Sequence, residues 1–157
     1  MRGKIVFITG ASSGIGEGCA RKFASQGSDV ILNARNVAKL EELKKELEKA
    51  YDIRVFLLPF DVRDRKAAVD ALASLPENWK AIDVLVNNAG LVIGVDKEFE
   101  GNLDEWDVVI DTNIKALLAI IRLIGTVFPV WLPWMTVLSL QLLMPVGTAV
   151  WTAAVTM

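Results

Sequence analysis

The chain of 157 residues carries 17 Lys and Arg against 19 Asp and Glu, for a net charge of −2, with no histidine and one cysteine. That length supports one domain with a real core and not two. The interspersed charge offers no polybasic face for nucleic acid, the missing histidine removes Ser-His triads and most zinc sites, and Cys19 alone closes no internal disulfide and fits a reducing compartment.

Met1-Arg-Gly-Lys4 leads at once into an apolar run at 5–9, without the apolar stretch and cleavage site of a signal peptide, so a cytoplasmic protein is expected. That run has the length of a buried strand. Gly10-Ala-Ser-Ser-Gly14-Ile-Gly16 follows and opens a helix that Gly27 stops. Residues 29–33 form a second strand, and Asn36 caps a helix whose Val37, Leu40, Leu43 and Leu47 share one face. Residues 53–58 form a third strand. Asp64 caps a third helix, with Ala68, Val69, Leu72 and Leu75 inward, which ends before Pro76. Residues 82–86 form a fourth strand, and Asn102, with Glu105 three residues on, opens a long helix through Trp106, Ile110, Ile114 and Leu117. Strands apolar throughout, separated by amphipathic helices, predict an α/β fold: a Rossmann-type, doubly wound parallel sheet of about four strands in the order 3-2-1-4. Trp79, Trp106 and Cys19 read as packing residues, and 41–49 as a solvated helix face.

The glycines between first strand and first helix have separable uses. A tight turn there needs unusual backbone angles, and an anion approaching backbone N–H groups at a helix start is obstructed by a Cβ. The plain alternative is a glycine-rich loop that binds nothing. Thr9-Gly10-Ala-Ser-Ser-Gly14-Ile-Gly16 resembles the nucleotide-binding signature of the short-chain dehydrogenase/reductase family, Asn87-Asn-Ala-Gly90 resembles its second signature, and Asp61-Val62 looks like its adenine-contacting pair. Asn113, in Asp111-Thr-Asn-Ile, matches the asparagine of the family's catalytic tetrad. The resemblance spans about residues 3 to 124, and 87–96 with 104–113 look most like the branch that oxidises serine and other 3-hydroxy acids with NADP. It implies that Gly10, Ser12, Ser13, Gly14, Ile15 and Gly16 hold a pyrophosphate, that Asp61 and Val62 hold the adenine, and that Asn87, Ala89 and Gly90 line the cofactor floor.

An acidic residue ending the second strand would accept the adenosine ribose hydroxyls and mark NAD. Here Ala34 stands in that place and Arg35 follows, so nothing repels a 2′-phosphate and a guanidinium can bind one. NADP(H) is therefore expected over NAD(H), against the bland reading of Arg35 as a solvated surface side chain.

The family pattern continues into a strand ending in a serine and a helix bearing Tyr-x-x-x-Lys, which move the substrate proton. Here Tyr51, at a predicted helix end, is the one tyrosine, and no lysine follows Lys115. Ser139 has no family context, so Asn113 alone survives of the tetrad and the chain as written should turn over nothing. The composition divides it into 1–122, a partial dinucleotide-binding domain, and 123–157, an uncharged tail with three prolines and Trp131, Trp134 and Trp151. Three readings of that tail stand. One is a frame error. Another is a membrane segment over 131–144, opposed by the prolines and by the lack of flanking cations. The last is a genuine cover for the open edge of the fourth strand, or a seam for self-association. The competing functional class is a nucleotide-binding remnant without catalysis.

Overall fold

A computed structural model describes residues 1–93, 100–127, 136–143 and 150–156, the last two stretches as backbone. Five buried residues form β1 (Ile5–Thr9), and their side chains divide between two cores. Ile5 and Phe7 join Ile31 and Leu85 on one face, under Ala68, Leu72, Ile120 and Ile124 of the helices. Val6 and Ile8 join Val30, Leu32, Val84 and Val86 on the other, under Ala20, Ala24, Leu40, Leu43 and Leu47. A strand with both faces buried has no polar alternation to show, which is why these segments read as continuous apolar runs.

The chain alternates from β1 through α1 (Gly14–Ser25), β2 (Asp29–Asn33), α2 (Val37–Ala50), β3 (Val55–Leu57), α3 (Arg65–Ala73), a 3₁₀ turn (Glu77–Trp79) and β4 (Val84–Asn87). Then come α4 (Leu103–Ile110), a π turn (Asp111–Ala116), α5 (Leu117–Val127), β5 (Thr136–Leu143) and β6 (Val150–Thr156). The caps sit where the sequence puts them: the Asn36 side chain accepts from Lys39 N–H, and Asp64 from Ala67 N–H. Asn102 accepts from Asp104 N–H.

The four parallel strands stand in the order 3-2-1-4, as expected. The sheet then continues through β5, parallel to β4 with Ser139 opposite Asn87, and β6, antiparallel to β5. The sequence reading found no strand period over the length of this region, although Leu138-Ser-Leu-Gln-Leu142 alternates within β5. Residues 131–135 and 144 of the membrane-segment reading lie outside the described residues. Helix α5 crosses the composition change at 122, and Ile124, beyond it, is in the core. Among the described residues no helix is long and apolar enough to cross a membrane.

Three expectations are corrected. Strand 3 is shorter than 53–58, since Ile53 N–H turns back to Tyr51 O and Arg54 N–H goes to the Asp29 carboxylate. Val69 is 40% exposed, because α3 is short and buries only Ala68 and Leu72. Trp106, Ile110 and Ile114 are 41%, 40% and 43% exposed, while Ala116, Ile120 and Ile124 carry the inward face. Trp79 is buried, with the Arg54 guanidinium 4.9 Å from its ring, and caps the β3 side of the core.

Candidate functional site

All four strands are parallel, but the chain winds outward from β1 to β2 on one side and later to β4 on the other, so a crevice opens at the carboxyl ends of β1 and β4. A cleft of about 690 Å³ occupies that place. Of the residues singled out in the sequence, Gly10, Ser12, Ser13, Gly14, Ile15, Arg35, Asp61, Val62, Ala89 and Gly90 line it. Gly16, Asn87 and Asn113 stand behind its walls.

The glycine turn is held from below by Thr9. Its buried hydroxyl donates to Asn87 Oδ1 at 3.3 Å and accepts from the N–H groups of Asn88 and Ala89, both at 3.0 Å. Asn88 Nδ2 in turn donates to the carbonyls of Thr9 and Gly10 at 3.0 and 3.2 Å. These contacts join two loops nearly eighty residues apart into one floor. Ala11 N–H donates to Asn33 O at 2.9 Å and ties the turn to β2 as well.

Within the turn the glycines divide their work. A Cβ on Gly16 would collide with the Gly10 carbonyl, so this glycine serves close packing of α1 on the turn. Gly14 has φ +57 and open space where a Cβ would go, so its missing side chain leaves the cleft free. Ser13 caps α1 by position but makes no side-chain capping bond, and Glu17 in the first turn is held by Arg21. The α1 N-terminus therefore keeps donors and dipole available to an anion.

On the opposite wall, Asn113 donates to Leu91 O and accepts from Leu91 N–H, both at 2.9 Å, which fixes the backbone after Gly90. It sits inside the π turn, where the wider backbone brings Thr112 to the cleft wall. Asn87 Nδ2 donates to Leu117 O at 3.1 Å and anchors the start of α5 to β4.

At the far end, Ala34 is buried at the close of β2 and no carboxylate stands there. Arg35 is 67% exposed, and its Nη1 lies 3.8 Å from Asp61 Oδ2. The Asp61 carboxylate is engaged chiefly by Arg63, whose Nη2 donates to Oδ2 at 2.6 Å and whose Nε and backbone N–H both reach Oδ1. The Arg63 guanidinium holds the Asp61 carboxyl below the usual carboxylate range, and Arg35 adds a smaller pull the same way. The sequence places Thr9 and Asn88 within the two signatures without showing what they do, and Arg63 was not singled out. The one local signal was the Asp61-x-Arg63 spacing.

Tyr51 is half exposed at the end of α2, away from the cleft, as expected. Cys19 is partly buried, packs against the core under β1 and β2, and burial pushes its thiol up.

The sequence matches the family model for short chain dehydrogenase over residues 4–129. It is 42% identical over 118 residues to the NADP-dependent 3-hydroxy acid dehydrogenase YdfG of Escherichia coli O6:H1, covering 75% of this chain and 46% of that protein. It is also 42% identical to the NADP-dependent 3-hydroxy acid dehydrogenase of Schizosaccharomyces pombe, covering 80% and 49%. The closed form of serine dehydrogenase complexed with NADP+ superposes with a TM-score of 0.73 at 41% identity, over 78% of this chain and 48% of that one. The chain thus spans about half the length of the curated relatives it matches.

Proposed function

The chain belongs to the short-chain dehydrogenase family, and on that premise we propose that its cleft binds NADP(H) in preference to NAD(H). The observation that carries this reading is the far end of the cleft, where Ala34 replaces the ribose-binding acid and the largely exposed Arg35 beside it is held only loosely by Asp61. The cradle fits the group: backbone donors at the start of α1 face open space at Gly14, on the scale of a pyrophosphate. Gly10, Ser12, Ser13, Gly14 and Ile15 would hold the diphosphate, Arg35 the 2′-phosphate, Asp61 and Val62 the adenine, and Ala89 and Gly90 the floor. Gly16, Asn87 and Asn113 support these surfaces from behind. When bound, the nicotinamide supplies or accepts a hydride.

The relatives' names point to serine and 3-hydroxy acids as the substrate class of the whole enzyme. Within these 157 residues no tyrosine has a lysine four positions on, so the groups that exchange the substrate proton are lacking. We therefore read the chain as a cofactor-binding unit, partial over 1–122, that does not turn over by itself. Self-association through its apolar tail belongs to the same reading.

Thermal unfolding of the full chain with each dinucleotide tests it. Millimolar NADP+ should raise Tm by several degrees and equal NAD+ by clearly less, while absorbance at 340 nm stays flat with serine or 3-hydroxypropionate present. Equal shifts from both dinucleotides, or steady NADPH production, would overturn the cofactor and the turnover parts respectively.

A further inference from the structure

We propose that Arg63 is a second determinant of 2′-phosphate recognition, acting with Arg35 across the adenine end of the cleft, with Asp61 as the internal counter-ion that holds both. The inference rests on the NADP(H) reading and deepens it.

Both guanidinium groups approach one oxygen, Asp61 Oδ2, at 2.6 Å from Arg63 and 3.8 Å from Arg35. The two contacts differ in kind. Arg63 forms a planar fork through Nε and Nη2, whereas Arg35 stands beyond hydrogen-bond distance and is two-thirds exposed. A phosphate entering here displaces only the loose partner. Arg35 swings to the phosphate, and Arg63 keeps Asp61 while offering Nη1, which has no hydrogen-bond partner among the described residues. Three phosphate oxygens suit two guanidinium donors carried by the segments after β2 and β3.

Charge gives Arg63 a second task. Asp61 lines the same cleft, and an uncompensated carboxylate there would repel a 2′-phosphate. The fork neutralises it in place. Arg63 is thus a specificity residue twice over, as a donor and as the group that makes Asp61 tolerable to an anion. A ligand without the 2′-phosphate gains from neither effect.

Calorimetric titration of the full chain with 2′,5′-ADP and with 5′-AMP separates the possibilities. Arg63→Gln should weaken 2′,5′-ADP roughly ten- to a hundredfold and 5′-AMP less than about twofold. Arg63→Lys, which keeps the charge without the fork, should fall between. Adding Asp61→Asn to Arg63→Gln should restore part of the 2′,5′-ADP affinity, since the repelling charge is gone. Equal weakening of both nucleotides in Arg63→Gln, or no weakening of either, overturns the proposal. If the unaltered chain fails to prefer 2′,5′-ADP, the NADP(H) reading itself has failed, and the assignment falls with it.

Discussion

Thr9 is fully buried, and its hydroxyl serves one acceptor and two backbone donors of the β4 loop. Thr9→Val keeps the shape and strands those groups, so the loss of stability should be about 2 kcal/mol by urea unfolding. A loss below about 0.5 kcal/mol would mean the loop finds other partners. The carboxylate of Asp61 makes a second prediction. Its folded pKa is depressed by Arg63, so the stabilisation it lends is present above the unfolded pKa and disappears only as pH falls through the lower folded value. A carboxyl NMR titration should show Asp61 protonating below the ordinary aspartate range, and Arg63→Gln should return it towards that range; an unchanged midpoint would deny the pairing. At this scale the sequence was half legible. Gly14 and Arg35 announce themselves because a missing side chain and a missing acid are visible in a string of letters. Thr9 and Asn88 do not, since their partners are nearly eighty residues away and exist only once β1 and β4 are adjacent.

Helix starts were legible for a physical reason: Asn36 and Asp64 cap through contacts three residues on, which the chain itself encodes. The π turn at Asp111–Ala116 was not, because one inserted residue per turn leaves composition and capping signals unchanged. The turn before α1 gives the prediction at this scale. Gly14→Ala strains a left-handed residue in open space and should cost roughly 1 kcal/mol of stability while lowering dinucleotide affinity at least tenfold. Gly16→Ala drives a methyl into the Gly10 carbonyl and should cost more than about 2 kcal/mol. Paired chemical denaturation and binding measurements check both. Equal stability losses would erase the division between a glycine kept for the ligand and one kept for packing.

Over the whole molecule, the buried strands and their covering helices carried the fold from sequence to structure in the order 3-2-1-4. The two further strands escaped because the alternation Leu138-Ser-Leu-Gln-Leu142 is short and set in a longer uncharged segment without a sustained period. The same helices leave an unpartnered surface. Leu103, Trp106, Ile110, Ile114 and Leu118 are 70%, 41%, 40%, 43% and 59% exposed, at spacings of three or four residues along α4, the π turn and α5. A continuous apolar stripe of this kind favours association. Sedimentation of the chain should show concentration-dependent self-association that Ile110→Lys with Ile114→Lys abolishes at unchanged Tm; a monomer at all concentrations would contradict it.

This fold builds an NADP(H) cleft from a glycine turn at one end and a guanidinium at the other. Fluorescence titration of the full chain with NADPH and NADH, at one ionic strength, tests it most directly. NADPH should bind saturably and at least about tenfold tighter than NADH, with Arg35→Ala removing most of that ratio. Equal affinity for the two, or saturation by neither, would contradict it.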